Sequence, residues 1–237
     1  MRTVKLFNLP IVAGTRREVY EVLVSRISSH QKTFVVTANA SIIIRSIDDP
    51  EYKRIISNAD LILPDGAGVV WALKRNRGIQ TERVTGIDTL LYLCQMAKEN
   101  QWKVFLLGGR EKVISEAAGK IDDLFGNIVC GYHHGYFQDD GPVEKIRRSQ
   151  ADILFVGMGV PKQEKWIARN LQATGAHFAM GVGGSFDVIS GYKKRAPKLF
   201  QKMRLEWLYR FLQSPIQKRH IPLEIIRFAS LILRNHR

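Results

Sequence analysis

Asp65 ends the apolar run Leu61-Ile62-Leu63-Pro64 and is followed by Gly66 and Gly68. Glycines there let backbone approach a ligand, and a helix start steadies negative charge. A carboxylate so placed can act as general base on a sugar hydroxyl, or it can simply cap the next helix. Thr37 and Asn39 follow the apolar pair Val35-Val36, and they too can hydrogen-bond a sugar or phosphate or serve as caps. Gly108-Gly109 and Gly157-x-Gly159 suit phosphate contact. Neither completes G-x-G-x-x-G, and the chain has no Walker motif, so both are weak nucleotide fingerprints. The stretch Pro161-Lys162-Gln163-Glu164 adds a cation, an amide and a carboxylate where a helix should begin. His133-His134 has no third ligand at metal spacing, and the chain has no Asp-x-Asp. No metal and no other cofactor is therefore expected, and arginine is the natural partner for any phosphate leaving group.

These residues need elements to position them. Residues 33–36, 61–63, 104–107, 153–156 and 178–180 are short apolar runs, each stopping at a Gly-rich or small polar turn, as parallel strands buried on both faces do. Helices are expected over 15–29, 40–47, 66–74, 88–99, 113–124 and 163–171, the first opened by the capping box of Thr15 and Glu18. The prediction is an α/β fold, Rossmann-like, with a mostly parallel sheet flanked by helices. In such sheets ligands sit beyond the carboxyl ends of the strands, where the five turns would converge.

A chain of 237 residues, 45% hydrophobic and 24% charged, is an ordinary globular protein able to bury one sizeable core. Its 36 Lys and Arg against 22 Asp and Glu give a net charge of +14, which points to a polyanionic partner or substrate. Residues 192–237 hold twelve Lys and Arg against Glu206 and Glu224, so ten of those net charges lie in the tail. The sequence thus divides into a core, 1–191, and a basic helical C-terminal appendage, 192–237. Helices are expected over 197–212 and 222–235. The second is so apolar that its surface must be covered by the body, by a second copy in a homo-oligomer or by a membrane surface. Cys94 and Cys130 form no C-x-x-C pair, and neither a signal peptide nor a run of about 20 apolar residues is present. The location expected is cytoplasmic, peripheral on an anionic membrane surface.

Six motifs together resemble one family. They are Thr37-Ala38-Asn39, Leu63-Pro64-Asp65-Gly66, Arg83-Val84-Thr85-Gly86, Gly157-x-Gly159-x-Pro161-Lys162-Gln163-Glu164, Gly183-Gly184-Ser185-Phe186-Asp187, and Arg195-Ala196-Pro197 with Leu205-Glu206-Trp207-Leu208-Tyr209-Arg210. In this order they resemble the WecG/TagA/CpsF glycosyltransferases, most of all the type that builds wall teichoic acid linkage units. The resemblance implies inverting, metal-independent transfer of N-acetylmannosamine from a UDP-sugar donor to an undecaprenyl-diphosphate-linked N-acetylglucosamine acceptor. Other donors used in that family, carrying N-acetylmannosaminuronic acid, glucose or galactose, are the alternatives. It also implies that Asp65 is the base, with Thr37, Asn39, Arg83 and Gln163 lining the pocket. Gly108, Gly109, Gly157, Gly159, Gly184 and Asp187 are further candidates for substrate contact. Appendage arginines, from among Arg195, Arg210, Arg219 and Arg227, would close over the diphosphate. After Arg210 the chain departs from the family's Glu-Pro-x-Arg pattern and reads Gln213-Ser214-Pro215-Ile216-Gln217-Lys218-Arg219. A nucleic-acid-binding module is the reading from another class. No nucleic acid is expected as partner, because the basic residues sit among Trp207, Leu208, Phe211 and Leu212 at helical spacing and no nucleic-acid motif appears. An NAD-type dehydrogenase lacks its fingerprint here.

Overall fold

The computed structural model describes residues 1–138, 141–216 and 220–234, with only the backbone of Arg77, Lys202, Arg210 and His220. The chain opens with β1 (Arg2–Leu6) and β2 (Leu9–Ala13), followed by α1 (Arg16–Ser28), β3 (Thr33–Ala38), α2 (Ala40–Asp48) and α3 (Pro50–Ser57). Next come β4 (Leu61–Pro64), α4 (Ala67–Arg77), α5 (Gly86–Asn100), β5 (Val104–Gly108), α6 (Glu111–Phe125) and β6 (Val129–His133). The body ends with α7 (Gly141–Ser149), β7 (Ile153–Gly157), α8 (Lys162–Thr174), β8 (Phe178–Gly181) and α9 (Ser185–Ile189). The appendage supplies α10 (Lys198–Lys202), α11 (Glu206–Gln213) and α12 (His220–Arg234).

One sheet runs β1-β2-β4-β3-β8-β7-β5-β6, parallel throughout except for the β1/β2 hairpin. The five strands expected from the sequence are all present, and β3, β4, β5 and β8 are buried at every position, which is why they read as unbroken apolar runs. Helices cover both faces. Ile42, Ile43, Tyr52 and Ile56 belong to one core, and Leu90, Leu93, Ile114 and Ile121 to the other. Because the strands are parallel, the turns after β3, β4, β5, β7 and β8 share one edge.

The expected helix over 197–212 is broken in two. Arg204 takes φ of 62°, a left-handed conformation that ends α10 and re-aims the chain into α11. α12 docks on the body: Phe228 and Ile232 are buried in the core that α2 and α4 share. Gly68 of α4 makes room for this, since a Cβ there would lie 3.3 Å from the Phe228 ring. Arg227 seals the contact from outside through a two-pronged ion pair with Asp48, both bonds 2.6 Å long. No helix among the described residues is long and apolar enough to cross a membrane.

Candidate active site

The β3 and β4 tips are tied together. The amides of Asp65 and Gly66 both donate to the carbonyl of Ala38, at 3.0 and 2.9 Å. Gly66 must be glycine, because a Cβ would come within 2.8 Å of the Asn39 backbone. Asn39 caps α2, its Oδ1 accepting from the Ile42 amide at 3.1 Å. The β8 tip is pinned from two sides. Thr37 Oγ1 donates to the Gly181 carbonyl at 2.9 Å, and the Gly183 amide donates to Gln163 Oε1 at 3.0 Å. Gln163 is in turn held by Glu164, whose Oε1 accepts from its Nε2 at 2.6 Å. Thr37 and Gln163 are both buried, and they act here on the backbone of the turn after β8.

Arg83 reaches into this edge from the loop between α4 and α5. Its Nε donates to the backbone carbonyl of Asp65, and its Nη2 lies 3.8 Å from Asp65 Oδ1. The same Nη2 makes a closer ion pair with Glu206, at the first turn of α11. The appendage thus meets the strand-tip carboxylate through the Arg83 guanidinium.

A cavity opens on each side of that bridge. One, of about 220 Å³, is walled by Asn39, Ser41, Asp65 and Gly68 of the body and by Arg204, Trp207, Ile221, Ile225 and Phe228 of the appendage. The other, of about 200 Å³, is lined by Thr85, Gly184 and Asp187 together with Lys193, Lys194 and Arg195. Arg83 and Glu206 line both. Lys193 stands 3.6 Å from Asp187, and Arg195 pairs with Asp88. Burial pushes the Asp88 carboxyl up, but hydrogen bonds from Thr85 and Arg195 outweigh it, and the group lies below its ordinary value.

Asp65, Asn39, Arg83, Gly184, Asp187 and Arg195 are therefore brought to the two cavities, with Thr37 and Gln163 immediately behind them. Gly108, Gly109, Gly157 and Gly159 line neither cavity. Gly108 and Gly157 serve close packing: a Cβ on Gly108, at φ of 132°, would lie 2.4 Å from the Gly157 carbonyl oxygen, and one on Gly157 would lie 2.6 Å from the Phe186 ring. Arg227 lines neither cavity and is spent on Asp48. The Arg210 side chain and Arg219 lie outside the described residues.

Several lining residues were not singled out from the sequence. Glu206 and Trp207 stood within a quoted motif, but only the break at Arg204 brings Glu206 to Arg83 and Trp207 to the wall of the Asp65 cavity. Another constellation is invisible to spacing rules because its members are far apart in sequence. His30, Asp152 and His177 have ligand atoms within 4.8 Å of one another, at the opposite, amino-terminal edge of the sheet.

The model of the glycosyl transferase WecG/TagA/CpsF family matches residues 4–237. An N-acetylglucosaminyldiphosphoundecaprenol N-acetyl-beta-D-mannosaminyltransferase of Staphylococcus aureus strain MW2 is 39% identical over 188 residues, covering 78% of this chain and 74% of the relative. A protein of the same name from Bacillus spizizenii strain W23 is 36% identical over 213 residues, covering 89% of this chain and 82% of the relative. The family match spans the strand tips, the Arg83 loop and the appendage helices alike, and the chain belongs to the WecG/TagA/CpsF family of glycosyl transferases.

Proposed function

We propose that this enzyme transfers N-acetylmannosamine from UDP-N-acetylmannosamine to undecaprenyl-diphosphate-linked N-acetylglucosamine, with inversion, in making the wall teichoic acid linkage unit. The names of its relatives support the acceptor and the sugar. The observation that carries the chemistry is Asp65 at a strand tip, lining a cavity whose far wall combines an arginine with apolar appendage side chains. That wall suits the sugar end of a lipid-linked acceptor. In the transfer, Asp65 takes the proton of the attacking acceptor hydroxyl. The hydroxyl oxygen bonds to the anomeric carbon, the bond from that carbon to the β-phosphate oxygen breaks, and its electron pair leaves with UDP. Arg83, with Lys193, Lys194 and Arg195 around the second cavity, meets the charge that develops on the leaving diphosphate.

On this reading the roles divide near residue 191. The body carries the base, while the appendage closes the cavities and brings the enzyme to the anionic inner face of the plasma membrane, where its acceptor lies. The test is a panel of UDP-sugars with a lipid-diphosphate-N-acetylglucosamine acceptor, run on wild type and Asp65→Asn. UDP-N-acetylmannosamine should be the preferred donor. Asp65→Asn keeps the shape and removes the proton acceptor, so kcat should fall by roughly two to four orders of magnitude. Wild-type turnover in the folded variant discards Asp65 as base, and preference for another UDP-sugar discards the donor.

A further inference from the structure

Arg83 is not shared evenly between its two carboxylates. Its Nη2 stands 3.8 Å from Asp65 Oδ1, at the outer limit of an ion pair, and makes its close contact with Glu206. Its Nε is held on the backbone carbonyl of Asp65, so the guanidinium is anchored beside that residue whatever its other end does. The Glu206 side chain is only 13% exposed, which limits screening of the pair by solvent and salt. Its Oε2 is buried and meets Nη2 as an ion pair without hydrogen-bond alignment.

A carboxylate loses proton affinity when a guanidinium closes on it. A general base is weakened by the same contact, because its strength follows its affinity for the proton it must take. We propose that Glu206 is a positioning residue: by holding Nη2 of Arg83 away from the Asp65 carboxylate, the docked appendage sets the basicity of the group that accepts the acceptor's proton. This rests on the reading of Asp65 as the base.

Other charges surround the pair. Arg204 lines the Asp65 cavity, and Glu224 is hydrogen-bonded to Ser41 on its wall. Across the bridge stand Asp187, Lys193, Lys194 and Arg195, where Lys193 is paired with Asp187 and Arg195 with Asp88. Arg83 is tethered to Asp65 through its own Nε. With Nη2 already 3.8 Å from Oδ1, it is placed to close on the carboxylate when Glu206 is lost.

The experiment is the pH dependence of the single-turnover rate with saturating substrates in wild type, Glu206→Gln, Glu206→Asp and Asp65→Asn, each first shown to unfold cooperatively. Glu206→Gln keeps the shape but releases Nη2. The acid limb of its profile should move to lower pH by about one unit, and its plateau should fall roughly tenfold. Glu206→Asp withdraws the carboxylate by one methylene and should shift the limb the same way by less, so either variant decides the matter if the other fails to fold. A wild-type limb in the folded variants overturns the proposal, and so does a lowered rate with an unmoved limb, which marks a merely structural role. If Asp65→Asn turns over like wild type, the reading of the base fails instead. An inactive Asp65→Asn beside unshifted Glu206 variants condemns the positioning role alone.

Discussion

Glu164 carries its carboxyl wholly inside the protein, beneath the turn that follows β8, with the Gln163 amide on one oxygen and the buried Tyr52 hydroxyl nearby. Burial pushes it up to about 7 from an ordinary value of 4.5. The folded chain therefore keeps a proton that the unfolded chain releases as pH rises from about 4.5 to about 7. Stability falls across that window and stays at the lower level above it. Glu164→Gln, neutral at every pH and still able to accept from Gln163, should match wild type near pH 4.5 and exceed it at pH 8 by on the order of 1–3 kcal/mol. Urea unfolding at the two pH values checks this, and equal stabilities at pH 8 would refute burial as the cause. The sequence placed Glu164 in a motif but could not say that it faces inward, since a Lys and a Glu opening a helix are equally at home in solvent. Asp65 and Asn39 could be singled out because each sits where an apolar run must end, whereas Arg83, in the loop between α4 and α5, stood out only through the family motif it opens. The partner of Arg83 was not, because Glu206 is joined to it only through the folded path of the appendage.

At the scale of elements, continuous burial made the five strands readable, while the others were missed for separate reasons. The β1/β2 hairpin turns through Phe7 and Asn8, at φ of 50° and 67°, a two-residue turn with neither an Asn-Gly nor an Asp-Gly pair to announce it. β6 is half-buried along its whole length and contains Gly131, so it offered no apolar run. α3 did carry a signal, Asp49 capping the Tyr52 amide with Pro50 at the first position. α12 is the element whose docking the sequence left open, and Phe228 decides it. That ring is 2% exposed and packs against Gly68, where a Cβ would stand 3.3 Å from it. Phe228→Ala should destabilise the protein by about 3–5 kcal/mol if the cavity does not collapse. Thermal unfolding measures the loss, and limited proteolysis should then cut first within residues 192–234. An unchanged melting temperature would mean that α12 does not pack on α4 in solution.

For the molecule as a whole, charge asymmetry was plain in the sequence, whereas the direction each face of the appendage takes required the fold. α12 is apolar on two sides. Phe228 and Ile232 face the core, while Leu223, Ile226 and Leu233 are 70%, 67% and 52% exposed, spaced to share the other face. Leu199, Met203, Leu212 and Ile216 are exposed on the same appendage, among the exposed cations Lys194, Lys198 and Arg204. Scattered exposed leucines need no explanation, but apolar side chains gathered on one basic segment do. We propose an anionic bilayer as the partner that suits both chemistries, since cations near such a surface add about 1 kcal/mol each and apolar side chains can enter its interface. Because these side chains already lie in solvent, the triple change Leu223→Ser, Ile226→Ser, Leu233→Ser should leave thermal unfolding nearly unchanged. It should sharply reduce sedimentation with vesicles containing anionic lipid, and turnover of an undecaprenyl-linked acceptor in such vesicles should fall with it. Turnover of a short-chain, water-soluble acceptor should stay at the wild-type rate, because Asp65, Arg83 and Glu206 are untouched. If the triple variant still sediments with the vesicles as wild type does, the outward face of α12 is not the membrane contact. Equal loss on both acceptors would instead make that face part of the catalytic fold.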